Sequence, residues 1–123
     1  KTGISIYRGN VRMVQGTTII TGNTVTVFMI DRKVSKMISL GELATYQETA
    51  NDGDILFSEA EEMHFYKLED RVELFRRGKI TENDNVFHSE HIIYYLEDGL
   101  IDAGTKTDRV NITIMPATQT NTP

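Results

Sequence analysis

The chain has 123 residues, of which 39% are hydrophobic and 25% are charged, a balance typical of one soluble globular domain. The formal net charge of −5 argues against nucleic acid as a partner, because nonspecific binding needs clustered Lys and Arg that neutralise phosphates. The absence of cysteine excludes disulfides and thiolate chemistry.

In chain order, the first half of the sequence predicts short strands separated by glycine-containing breaks. Successive side chains of a strand point to opposite faces, so alternating apolar and polar residues predict one buried face. Gly9-Asn10 shifts the phase of the first strand, and a glycine within such a pattern indicates a bulge or a tight bend. The predicted strands here are residues 4–15, 18–21, 24–30, 34–40, 43–48 and 55–58.

The second half continues the pattern. Residues 59–61 are ambiguous between a strand and one helical turn, and the alternation on both sides favours strand. No segment has a sustained helical period, and no apolar run approaches the roughly 20 residues of a membrane-spanning helix. The prediction is one all-β antiparallel domain over residues 1–116, a sandwich, jelly roll or open barrel, with a flexible tail at 117–123. The predicted strands here are residues 62–68, 72–76, 79–81, 86–90, 92–96, 100–103 and 110–115.

The sequence contains no convincing catalytic or metal-binding pattern. His88 and His91 are three residues apart, so on a regular strand their imidazoles point to opposite faces and cannot share a metal. Glu59, Glu61 and Glu62 are close neighbours, which is more typical of a solvated charge run than of an acid/base pair across a cleft. We therefore expect no enzyme activity, no cofactor and no metal site.

Several short motifs stand in a fixed order along the chain. They are Gly9-Asn10-Val11 with Gln15-Gly16, then Gly22-Asn23-Thr24-Val25, Gly41-Glu42-Leu43-Ala44-Thr45-Tyr46 and Ala60-Glu61-Glu62-Met63-His64-Phe65, followed by residues 70–74 and 92–94. In order and spacing they resemble the strands of the LptA (OstA-like) lipopolysaccharide transport family. The resemblance runs over about residues 4–116.

Two departures from the family pattern stand out. The family's Leu-x-Gly-Asn-Ala step is Leu74-Phe75-Arg76-Arg77-Gly78 here, so two arginines occupy the positions of the glycine and the asparagine. The family's first N-terminal strand, which supports end-to-end assembly, has no counterpart before Lys1, and we expect it to be missing from this sequence.

The resemblance implies a twisted antiparallel β-jelly roll whose two sheets form an open V-shaped groove. It implies a periplasmic protein that shields lipopolysaccharide acyl chains in that groove and bridges the inner and outer membranes. The partners it implies are lipopolysaccharide, like jelly-roll domains of the inner-membrane and outer-membrane components, and further copies of itself stacked head to tail. The alternative is a carbohydrate-binding or structural jelly-roll module with a closed core, although the chain lacks Trp, the usual sugar platform.

The strand phases predict which side chains would line such a groove. Each of them is equally compatible with an ordinary packed core, and an interior filled by these side chains would argue against an open groove. The predicted lining residues are Val25, Val27, Ile38, Tyr46, Met63, Phe65, Leu74, Ile92 and Tyr94.

Overall fold

The computed structural model describes residues 2–49, 53–104 and 109–114, and within these ranges every regular element is a strand. The predicted all-β antiparallel class is confirmed. The predicted tail at 117–123 and the end of the last predicted strand, Met115, lie outside the described residues. The strands are β1 Thr2–Gln15, β2 Thr18–Ile30, β3 Lys33–Thr49, β4 Ile55–Tyr66, β5 Arg71–Glu82, β6 Asn85–Tyr95, β7 Leu100–Ala103 and β8 Asn111–Thr113.

All eight strands belong to one antiparallel sheet in which β1 to β7 are neighbours in sequence order. The two short final strands share β6 as their partner: β8 pairs with residues 86–88 and β7 with residues 92–95. The two sheets expected from the sequence are therefore two halves of a single continuous sheet.

Most of the strand breaks predicted from the sequence are irregularities inside longer strands. Residues 18–21 and 24–30 form the single strand β2, and residues 34–40 and 43–48 form β3. The prediction of separate strands was wrong because a glycine in a strand pattern marks a bulge as readily as an end, and pairing with the neighbouring strand decides between the two.

The irregularities lie side by side and form a line across the sheet, which we call the crease. Strand register shifts there between Arg8/Val11, Thr21/Thr24, Leu40/Ala44, Glu59/Glu62 and Phe75/Gly78. Half-sheet 1 consists of residues 2–8, 24–30, 33–40, 62–66, 71–75 and 91–95 with β7. Half-sheet 2 consists of residues 11–15, 18–21, 44–49, 55–60, 78–82 and 85–89 with β8.

A ring contact across the two halves establishes that the sheet folds over at the crease. Tyr46 of half-sheet 2 pairs with Ser58 on β4. Phe65 lies seven residues further along β4, about 23 Å from Ser58 if the strand were straight. The Tyr46 and Phe65 rings nevertheless meet edge to face, with centroids 5.1 Å apart. The inner faces of the half-sheets therefore face each other, as the two arms of a V.

Small residues allow the arms to approach at the crease. A Cβ placed on Gly78 would lie 2.7 Å from the Ser89 backbone oxygen, and one on Gly22 would collide with the Ser39 hydroxyl. Ala44 and Ala60 are fully buried beside them. Because larger side chains at Gly22 or Gly78 would collide with these neighbours, the crease depends on these sizes.

Candidate functional site: the interior and mouth of the V

Eight of the nine residues predicted to line a groove lie on the inner face of the folded sheet. Their side chains are 0–7% exposed and belong to one cluster between the two arms. That acyl chains bind among them stays a prediction. The eight are Val25, Val27, Tyr46, Met63, Phe65, Leu74, Ile92 and Tyr94.

Ile38 is the exception, and its predicted placement was wrong. It pairs with Thr26 on β2 and His64 on β4, which places it on the outer face. The cause is a register shift between β2 and β3. Phe28 pairs with Lys36 and the next residue, Met29, pairs with Val34, so Ser35 is an extra residue on β3. The extra residue reverses the alternation, so Met37 takes the inward position that the sequence pattern assigned to Ile38.

The list of predicted lining residues also leaves out inward residues on β4 and β5. Leu56, Ile80 and Val72 are 0–8% exposed and belong to the same interior cluster. On β5, Val72 alternates with Leu74 in the sequence, whereas on β4 the signal was the alternation Leu56, Ser58, Ala60, which is weak because two of its three members are small. Pairing of Ser58 with Tyr46 is what places this series inside.

The interior near the crease is filled rather than open. Side chains from both arms pack against one another there, and Leu74, Ile80, Ile92 and Val25 are completely buried. On the side of the V opposite the crease, which we call the mouth, the two arms leave space between them. A cavity of about 390 Å³ opens there, with Leu56, Phe65 and Leu96 among its apolar lining residues.

Two tyrosines mark the boundary between the apolar interior and the polar rim of the mouth. The Tyr94 hydroxyl donates to Glu82 Oε2 at 3.1 Å, and the Tyr46 hydroxyl donates to Glu48 Oε1 at 3.4 Å. Burial, together with the charge of Glu82, raises the pKa of Tyr94 to about 12. Burial and Glu48 raise the pKa of Tyr46 as well, so both hydroxyls remain protonated donors at neutral pH.

The rim of the mouth is acidic. Among the described residues that line the cavity, Glu48, Asp54, Asp70 and Glu82 carry carboxylates and Lys67 is the one cation. Thr17 Oγ1 donates to Glu48 Oε2 at 2.7 Å, which ties the β1–β2 turn to this rim. The arrangement places apolar side chains such as Leu56 and Phe65 behind a charged edge.

The outer face holds the two histidines considered as metal ligands. Both lie on that face, so the prediction that they point to opposite faces was wrong. The strand β6 is irregular at Glu90, because Ser89 pairs with Gly78 whereas His91 pairs with Phe75. His91 Nε2 lies 2.5 Å from Glu73 Oε2 and its ring stacks on Phe75. No group of three or more His, Asp or Glu suited to hold a metal occurs in the described part of the chain.

Glu61 and Glu62 at the crease form solvent-exposed ion pairs with two arginines. Arg76 contacts Glu61 at 3.3 Å and Glu62 at 2.8 Å, and Arg77 contacts Glu61 at 2.7 Å. Hydrogen bonds from Arg77 and Arg76 hold the pKa of Glu61 below its ordinary value, and those from Arg76 and His64 do the same for Glu62. Both arginines adopt left-handed backbone conformations, with φ of 67° for Arg76 and 54° for Arg77.

The family described as the LptA/(LptD N-terminal domain) LPS transport protein matches residues 1–100 of this chain, which span β1 to β6 with the crease and most of the mouth. The chain belongs to this family. Within the described residues, no helix has both the length and the apolar character needed to span a membrane.

Two further comparisons agree with the family. The chain is 33% identical over 110 residues to the lipopolysaccharide export system protein LptH of Pseudomonas aeruginosa, covering 87% of this chain and 62% of that protein. The chain thus spans about three fifths of that relative's length. The crystal structure of LptH, described as the LptA-homologous periplasmic component of the lipopolysaccharide transport device, matches with a TM-score of 0.84 at 29% identity. That match covers 93% of this chain and 85% of the LptH chain.

Proposed function

We propose that this protein is a non-catalytic periplasmic component of lipopolysaccharide transport, which shields acyl chains between the arms of the V. Membership of the LptA/LptD N-terminal domain family supports this proposal. The observation that carries it is the mouth cavity of about 390 Å³, which leads from an acidic rim to an apolar interior. Such a cavity can hold part of a lipid tail away from water.

The energetics require a shield of this kind. Each methylene group exposed to water costs about 0.8 kcal/mol, so an acyl chain of about twelve carbons costs on the order of 10 kcal/mol. A lipid with several such chains does not cross water at a useful rate. A sheet interior removes this cost without any chemical reaction.

The packed interior determines how an acyl chain would enter. The chain occupies the mouth cavity first, against Leu56, Phe65 and Leu96. To go deeper it must part the arms, since Tyr46 and Phe65 are in ring contact directly below. Glu48 and Glu82 at the rim stay hydrated and keep the lipid head group outside.

A charged substitution in the mouth tests the proposal. Leu96→Asp places a carboxylate in the cavity at a half-buried position, and we expect at least about tenfold weaker binding of purified lipopolysaccharide because acyl chains would meet a charge. Ile38→Asp is the matched control, since Ile38 is also half-buried but lies on the outer face. Both variants should keep the β circular-dichroism signal.

The outcomes separate this function from the alternative. Equal binding by wild type and Leu96→Asp would show that acyl chains do not use the mouth. Absence of lipopolysaccharide binding by wild type would favour the closed-core carbohydrate-binding or structural module, whose packed interior the region near the crease resembles.

We further propose that like domains join end to end to bridge the inner and outer membranes. β1 is a 14-residue strand that pairs with β2 alone among the described strands, so its other side presents backbone groups for strand addition. The opposite end of the sheet consists of the short strands β7 and β8. Light scattering over a concentration series should give a rising average mass, and a constant monomer mass would contradict self-association of this chain.

A further inference from the structure

Three serines lie buried on the inner face of the sheet, and one of them differs from the others. Ser39 donates to the Thr21 backbone oxygen at 2.8 Å, and Ser89 Oγ accepts from the His91 backbone N–H at 3.3 Å. The Ser58 hydroxyl, in a residue that is 1% exposed, has no hydrogen-bond partner among the described residues. A buried, unpaired hydroxyl is destabilising, so its presence in an apolar interior calls for a reason.

Ser58 lies just below the mouth cavity. It sits between Tyr46 on β3 and Ile80 on β5 in the sheet register. Tyr46 and Leu56 line the cavity, and Leu56 is the next inward residue from Ser58 toward the mouth, about 7 Å along the strand. An acyl chain that moved past the cavity would therefore reach Ser58 as its first polar contact on β4.

We propose that Ser58 recognises an acyl chain that bears a hydroxyl group, so that the V prefers hydroxylated over plain hydrocarbon chains. This inference rests on the proposed acyl-binding function. A hydroxyl both donates and accepts, so Ser58 and a chain hydroxyl can satisfy one another. A plain chain leaves Ser58 unpaired, and sites that hydrogen-bond a ligand hydroxyl discriminate against analogues that lack it.

Two fatty acids of equal length test the proposal. Titration calorimetry would compare 3-hydroxytetradecanoic acid with tetradecanoic acid on wild type, Ser58→Ala and Ser39→Ala. Removing the Ser58 hydroxyl should lower the preference for the hydroxylated acid by about five- to tenfold. Ser39→Ala removes a hydroxyl at similar burial that already has a protein partner, so it should leave the preference as in wild type.

Stability measurements give a second readout. Thermal unfolding of Ser58→Ala should occur at or above the wild-type midpoint because no hydrogen bond is lost, whereas Ser39→Ala should unfold at a lower temperature. A clearly lower midpoint for Ser58→Ala would mean that the hydroxyl is structural, and it would overturn the inference.

The binding outcomes distinguish this inference from the function on which it rests. If wild type binds both acids and Ser58→Ala keeps the wild-type preference, Ser58 recognition is wrong and acyl binding stands. An equal loss of preference in Ser39→Ala would also overturn it, since loosening of the interior would then be the cause. If wild type binds neither acid, acyl binding itself fails.

Discussion

The crease and the mouth, on opposite sides of the V, differ in the size, packing and charge pairing of their side chains. At the crease, glycine, alanine and serine pack closely, and Gly78 has no room for a Cβ beside Ser89. At the mouth, large side chains such as Phe65 and Leu96 leave a cavity of about 390 Å³. Charged groups at the crease are ion-paired across strands, whereas carboxylates such as Glu82 line the rim of the mouth.

This difference assigns separate tasks to the two regions. The backbone of six long strands passes through the crease, so the arms cannot separate there. They can separate at the mouth, where side-chain contacts such as those of Tyr46 with Phe65 join them. Substitutions at the crease should therefore change stability, and substitutions at the mouth should change ligand access.

The largest effect is expected from a bulky residue at the crease. Gly78→Val should lower the free energy of unfolding by about 3 kcal/mol or more, because the Cβ would meet the Ser89 backbone oxygen and the Ile92 side chain. Gly3→Val on β1 is the control, since a Cβ there meets nothing within 4 Å. Urea unfolding measures both, and equal stability of the two variants would contradict the close packing assigned to the crease.

The crease ion pairs predict a smaller, pH-dependent effect. Glu61 and Glu62 have lowered pKa values in the folded state, so their pairing stabilises the fold above the ordinary carboxyl pKa of about 4.3 and is lost as pH falls through the folded values. Arg76→Gln removes the charge and keeps an unbranched, polar side chain. It should be less stable than wild type at pH 7, and the difference should shrink below about pH 4. A difference independent of pH would mean that Arg76 acts through packing.

The smallest effect is expected at the rim of the mouth. Tyr94→Phe removes one hydrogen bond to Glu82, which solvent can replace. The free energy of unfolding, measured by thermal unfolding, should therefore fall by about 1 kcal/mol or less. Lipopolysaccharide binding should persist, because the ring that lines the cavity is retained. A large loss of stability would mean that the Tyr94–Glu82 contact closes the mouth.

The sequence predicted the inner face wherever alternation was regular. Val25 and Val27 lie on an unbroken stretch of β2 and were placed correctly. Ile38 was misplaced because one extra residue, Ser35, reverses the phase, and only pairing with β2 reveals it. The mouth was not predictable, since it brings together residues such as Glu48 and Asp70 that meet only after the sheet folds at the crease.

The most direct test of the account is the distance across the mouth with and without lipid. The chain has no cysteine, so spin labels can be attached at Leu68→Cys, in the turn after β4, and Asp84→Cys, in the turn after β5. Both positions are exposed and lie on opposite arms. We expect the distance between the labels to lengthen when lipopolysaccharide binds. An unchanged distance with lipopolysaccharide bound would contradict a V that opens at its mouth to take in acyl chains.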